Sequence, residues 1–165
     1  MMTVIRISMK IVILDGYTVS QDDLSWSMLD ELAEVEVYDR TSAEDVVKRC
    51  KDAEMVLTNK VVLDSFTLNQ LPRLMYIGVL ATGYNVVDLE AAEKQNIVVT
   101  NIPAYSTKSV AQMVFSHLLN IVSMVGKYAE RNREGEWARS EDFCYLRHNL
   151  FELNGKRFGI VGLGN

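Results

Sequence analysis

The chain has 165 residues, 48% of them hydrophobic and 24% charged, which fits one globular domain with a sizeable core plus part of a second. Its net charge of −5 and lack of a basic cluster argue against nucleic-acid binding. Two widely spaced cysteines, Cys50 and Cys144, make no disulfide framework and suit a reducing, cytoplasmic setting, and no apolar run reaches the roughly 18 residues of a membrane span.

Short apolar runs alternate with helix-period runs. Residues 10–14 (KIVIL) form a strand of the kind buried on both faces of a parallel sheet. Ser20 with Asp23 opens a helix through Leu24, Met28, Leu29 and Leu32, and residues 35–38 form the second strand. Ser42 and Asp45 cap a helix whose apolar side carries Val46, Val47 and Cys50. Strand three spans 55–58, and a helical turn follows near 64–71. Strand four spans 74–80 and runs into Ala81-Thr82-Gly83, Asp88 caps the next helix, and residues 97–100 form strand five.

Five strands separated by helices predict a doubly wound parallel sheet, whose ligands sit beyond the carboxyl ends of the strands. The loops to watch are therefore Asp15-Gly16-Tyr17, Thr58-Asn59-Lys60, Ala81 to Tyr84 and Asn101-Ile102-Pro103. In the third, a positive φ at Gly83 would build an anion-binding nest, against the plainer reading of a β-to-α turn.

One long helix is expected from Ser106 or Ser109 to Arg133. Ser109 and Gln112 have capping-box spacing, which leaves Ser106 and Thr107 for other work. Val110, Val114, Leu118, Ile121, Val122 and Val125 make its apolar stripe, with His117 packed beside them. A polar connector over 131–149 carries Trp137 and Phe143 as packing residues and a solvated acidic face at Glu134 and Glu136. Asn154-Gly155 is a turn signal before a last apolar strand from Lys156, which ends in Gly162-Leu163-Gly164. Gly-x-Gly after a strand can hold a dinucleotide pyrophosphate, although the motif alone is weak. His117, His148, Cys50 and Cys144 have no metal-ligand spacing, and no complete catalytic constellation is present.

The strings ATGYNVVDLEAAEKQNIVVTNIPAYSTKSVAQ and GKRFGIVGLGN resemble the D-isomer-specific 2-hydroxyacid dehydrogenases. ILDGYTVSQDDLSW and LTNKV are most similar to the glycerate dehydrogenase, or hydroxypyruvate reductase, branch. The resemblance implies a flavodoxin-like substrate domain over residues 1–103. A linking helix and connector over 104–155 and the first strand of a truncated Rossmann domain over 156–165 would follow. It implies that Thr82 and Gly83 hold the substrate carboxylate, that Asn59 and Lys60 line the substrate side, and that Ser106, Thr107, Gly162 and Gly164 face the cofactor. That cofactor would be NAD, with NADP left open. The substrate would be a small 2-keto or 2-hydroxy acid, and a homodimer would form through the long helix and connector. The family's acid–base His, its Glu partner and its Arg fall outside these 165 residues, so the chain alone is expected to be inactive. An alternative of the same fold is a dinucleotide-linked, corepressor-like binding protein. A phosphoacceptor receiver domain is rejected, because strand three ends in Thr58-Asn59 rather than Asp.

Overall fold

The computed structural model of the chain describes residues 9–21 and 23–162. It divides into two compact units, Met1–Pro103 and Ala104–Asn165.

In the first unit five short strands form one parallel sheet: β1 (Lys10–Ile13), β2 (Glu34–Val37), β3 (Met55–Thr58), β4 (Tyr76–Val79) and β5 (Val98–Thr100). Their order across the sheet is β2-β1-β3-β4-β5. In register, Ile13 faces Val37 on one side and Leu57 on the other, and Leu57 faces Gly78. The order reverses between β1 and β3, which makes that pair the topological switch point.

The apolar pattern explains the layering. Val12, Ile13 and Leu14 are fully buried, as a strand covered on both faces requires. The core gathers Val56 of β3, Ile77 and Val79 of β4, and Leu63, Leu68, Leu71 and Leu74 from the segments around the small helix α3 (Ser65–Leu68). Helix α2 (Val46–Cys50) contributes Val46 and Cys50, the two positions its one-turn spacing puts on a single side. Helix α4 (Leu89–Lys94) adds Ala91 and Ala92. Asp64 and Asp88 cap α3 and α4 by accepting from the N–H groups of Thr67 and Ala91, at 2.8 and 3.0 Å.

The helix expected from Ser20 is shorter than its apolar spacing suggests. Ser20 and Asp23 instead close a local turn, in which the Leu24 N–H donates to Ser20 Oγ at 3.0 Å. Only Ser27–Asp30 is helical (α1), and Leu24, Met28 and Leu32 are exposed. A Ser hydroxyl that satisfies the backbone locally competes with helix propagation.

The second unit holds α5 (Thr107–Ser123) and α6 (Val125–Arg133). The single long helix therefore breaks at Met124, which adopts the left-handed conformation with φ 49°. The two helices meet at 61°. Among the described residues no single helix is long and apolar enough to cross a membrane, although this bent pair together has the length and composition. The capping box is not formed: of the two expected starts the structure takes Ser106, and the helix begins at Thr107, whose hydroxyl donates to the carbonyl of Ala104. Ser109 is thus already inside the first turn.

No described residue of this unit is buried, because two helices and a connector enclose no core. Val110 and Ile121 are exposed, His117 is not packed, and Trp137 and Phe143 are open to solvent. Local contacts replace a core. Phe115 stacks on Phe158, and Trp137 Nε1 donates to the carbonyl of Phe143 at 3.0 Å. The acidic face is not simply solvated, since Glu136 is ion-paired with both Arg131 and Arg147. The Asn154-Gly155 turn forms, with Gly155 at φ 72°. Residues 156–162 are not a strand: among the described residues they have no ladder partner, and an unpaired extended segment leaves its backbone groups to water.

Candidate functional site

The site is built at the carboxyl ends of β1, β3 and β4. Leu14 continues β1, its N–H donating to the carbonyl of Leu57 at 3.0 Å, and the chain then turns at Asp15. Asp15 is buried, and its two carboxylate oxygens accept from the backbone N–H groups of Asn59 (2.8 Å) and Lys60 (2.6 Å). A one-turn 3₁₀ segment, Gly16–Thr18, follows. The Thr18 hydroxyl donates to the Asp15 carbonyl at 2.8 Å and accepts from Asn59 Nδ2 at 2.9 Å. Asn59 is thus held at both backbone and side chain, while Lys60 is held only by its backbone. The Lys60 ammonium is exposed and is left to act as a positive charge at the rim.

A second loop is stitched to the first. Leu63 and Val87 form an isolated parallel bridge, in which the Leu63 N–H donates to the Val86 carbonyl (2.8 Å) and the Asp88 N–H donates to the Leu63 carbonyl (3.0 Å). This bridge ties the segment that follows Asn59-Lys60 to the segment that follows Thr82-Gly83. The latter is also tied to the end of β5. Thr82 Oγ1 donates to the Ile102 carbonyl at 3.0 Å, and Asn101 Nδ2 donates to the Thr82 carbonyl at 2.8 Å. The Ile102 N–H reaches the Ala81 carbonyl at 3.1 Å.

These bonds use the carbonyls and side chains of the Thr82-Gly83 loop and leave its donors. Among the described residues the backbone N–H groups of Thr82 and Gly83 have no acceptor, and both residues are exposed. Gly83 does not have the positive φ expected of it. Its use lies in space instead: a Cβ added there would meet only Asn85 Oδ1, at 3.5 Å. The loop presents two N–H groups without protein acceptors on exposed residues, an arrangement suited to a carboxylate.

The structure therefore brings Asn59, Lys60, Thr82 and Gly83 onto one rim of the first unit. Ser106, Thr107 and Gly162 lie in the second. Ser106 precedes α5 without a side-chain cap bond, and the Thr107 hydroxyl is spent on Ala104. Gly162 has φ 106° and nothing within 4 Å of a Cβ position. Gly164 lies outside the described residues. Asp15 lies in the first of the four loops, and the sequence assigns it no role. Its only signal was an acid at the end of the first buried strand, and its partners become visible only once β1 and β3 are adjacent. Among the described residues no group of His, Cys, Asp and Glu side chains could hold a metal ion.

Comparison with known proteins places this geometry. Residues 11–143 match the sequence model of the D-isomer specific 2-hydroxyacid dehydrogenase catalytic domain. The chain belongs to that family. It is 45% identical over 159 residues to a hydroxypyruvate reductase of Blautia hydrogenotrophica, covering 94% of this chain and 49% of the relative. Among solved structures it is similar to an NAD+-bound 3-phosphoglycerate dehydrogenase of Entamoeba histolytica. There the TM-score is 0.60 and the identity 25%, covering 68% of this chain and 39% of that one. An NADPH-dependent glyoxylate/hydroxypyruvate reductase of Sinorhizobium meliloti, in complex with citrate, shares the fold. Its TM-score is 0.67 at 23% identity, covering 90% of this chain and 44% of that one. The chain spans about half the length, or less, of the relatives it matches. The five-stranded parallel sheet and the flavodoxin-like strand order are those expected of a family member.

Proposed function

We propose that this chain supplies the substrate side of an NAD(P)-linked oxidoreductase acting between a small 2-keto acid and its D-2-hydroxy acid, with hydroxypyruvate and glycerate as the leading pair. The observation that carries the reading is the Thr82-Gly83 loop: two unengaged N–H donors on exposed residues, and Lys60 on the adjoining loop. Backbone donors fix a carboxylate in position, and a nearby lysine charge favours its approach. Asn59, held by Thr18, keeps its side-chain carbonyl for the substrate's hydroxyl. The named relative reduces hydroxypyruvate, which supports that choice of acid.

NAD fits the family's solved members, one bound to NAD+ and another NADPH-dependent, so the choice between the two stays with the complete protein. The described residues 156–162 do not by themselves form a dinucleotide cradle. They contain neither a paired strand nor a helix start, and the space around Gly162 is empty. What this chain's residues do is bind and orient the acid. Ser106 and Thr107, before and at the start of α5, are proposed to approach the nicotinamide end of the cofactor. The exposed apolar residues of α5 support a homodimer built on that helix. The two free cysteines support a reducing cytoplasm.

Titrating the chain with hydroxypyruvate by NMR tests the carboxylate site. Gly83→Ala should leave the melting temperature unchanged, since the added methyl meets only one side chain, yet weaken binding by about tenfold or more. Equal binding by wild type and variant would remove the loop from the site. A protein of the relatives' full length should oxidise NADH or NADPH with hydroxypyruvate, whereas the 165-residue chain should not. A full-length protein that binds dinucleotide and peptides but reduces no keto acid would favour the corepressor-like reading.

A further inference from the structure

A hollow of about 330 Å³ lies beyond the carboxyl ends of β2, β1 and β3, lined by residues of the loops that follow them. Lys60 and Arg40 both line it, together with Thr18, Thr41 and the buried Asp15. We propose that this hollow binds a phosphate-sized dianion between Arg40 and Lys60.

Two other charged hollows on the chain hold internal ion pairs, Lys10 with Glu36 in one and Arg131 and Arg147 with Glu136 in the other. Among the described residues no carboxylate lies within 4.0 Å of the side-chain nitrogens of Arg40 or Lys60. The one acid in the hollow, Asp15, has each oxygen committed to a backbone N–H. The lining is therefore net positive by one charge, beside the switch point where sheets of this order take ligands.

The Arg40 cation is positioned by its neighbours, and Lys60 is anchored at its backbone. The Arg40 guanidinium lies over the Tyr17 ring, 4.1 Å from its centroid. Stacking uses the face of the group and leaves its edge N–H donors free for a planar pair of oxygens. The Arg40 backbone is fixed from below, because Arg49 Nη1 donates to its carbonyl at 2.7 Å. The next residue, Thr41, is tied to β1 through its hydroxyl, which donates to the Leu14 carbonyl at 2.5 Å. Lys60 is fixed at its N–H by Asp15 at 2.6 Å. A tetrahedral oxyanion offers the several acceptor oxygens that two separate cations require.

The inference shares Lys60 with the proposed keto-acid site but needs no keto acid, so its test stands apart. The folded chain is titrated with inorganic phosphate at constant ionic strength, followed by NMR. Saturable binding should weaken about tenfold in Arg40→Gln and in Lys60→Gln, while the control Arg139→Gln binds as the wild type does. Arg40→Lys, which keeps the charge but loses the planar fork, should fall between. Circular dichroism checks that each variant folds. Two further arms locate the source of the dianion. If 3-phosphoglycerate displaces phosphate and Gly83→Ala weakens it alone, the dianion is the tail of an acid seated on both loops. If Gly83→Ala affects neither ligand, the dianion is an independent ligand of this hollow. Shifts that do not saturate, or that are unchanged in Arg40→Gln, overturn the proposal even if hydroxypyruvate still binds.

Discussion

Asp15, at the end of β1, accepts a hydrogen bond from the backbone N–H of Lys60, 45 residues further along the chain, at 2.6 Å. With the matching bond from Asn59 this sets the height of the β3 loop against the β1 loop, and hence the position of the Lys60 charge. Removing the carboxylate strands two backbone donors beneath the rim. Asp15→Ala should therefore cost about 2–4 kcal/mol, and Asp15→Asn, which keeps one acceptor, about half as much. Urea unfolding with an unchanged slope checks this.

Glu54 does comparable work at the opposite end of the sheet. It accepts from the Lys10 N–H at 2.8 Å and pairs with Arg73. Burial pushes its carboxyl up, but the Lys10 N–H and the Arg73 guanidinium outweigh this and hold it below its ordinary 4.5. A lowered folded value means that the stability Glu54 contributes is fully present above about pH 4.5 and is lost as pH falls through the folded value. Glu54→Gln should cost about 1 kcal/mol at neutral pH and flatten that acid limb of the stability curve. Thermal melts from neutral to acid pH report both; an unaltered acid limb would contradict the assignment.

The two cysteines should differ sharply in reactivity. Desolvation pushes the buried Cys50 thiol up to about 12, so it carries no useful thiolate fraction near neutrality, whereas Cys144 is exposed. Iodoacetamide at pH 8 should label Cys144 and spare Cys50 until denaturant is added, as intact and peptide masses will show.

Met124 holds φ 49° between α5 and α6, a region costly for a residue with a side chain. Met124→Gly should be neutral or stabilise this unit by about 0.5–1 kcal/mol, and Met124→Val should destabilise it. Helical ellipticity at 222 nm during heating discriminates the two.

Much of the first unit can be read from residue order alone. Strand β3 falls where its apolar run lies, Asp64 and Asp88 cap the helices they precede, and residues 11–14 are buried. These are local rules with short reach. The failures have other causes. Nothing in the residue at 124 announces a left-handed break, because neither Gly nor Pro stands there. The helix expected from Ser20 lost to a side-chain bond between near neighbours, and residues 156–162 have strand composition without a neighbouring strand. At the candidate site, the resemblance points to Thr82 and Gly83, whereas the positive φ that a local reading offers Gly83 is not adopted. Asp15 and Arg40 act through partners on other strands, so their roles exist only in three dimensions.

The strand order has a further consequence for how the chain is made. β1 is the first of the five strands to emerge from the ribosome, yet it lies inside the sheet, with β2 on one side and β3 on the other. Its most apolar residues therefore wait until about residue 58 has been synthesised before both flanks can be covered. Parallel pairing offers no tight hairpin to shelter them meanwhile. During that interval KIVIL is an uncovered strand with four aliphatic side chains, the kind of segment that chaperones bind during translation.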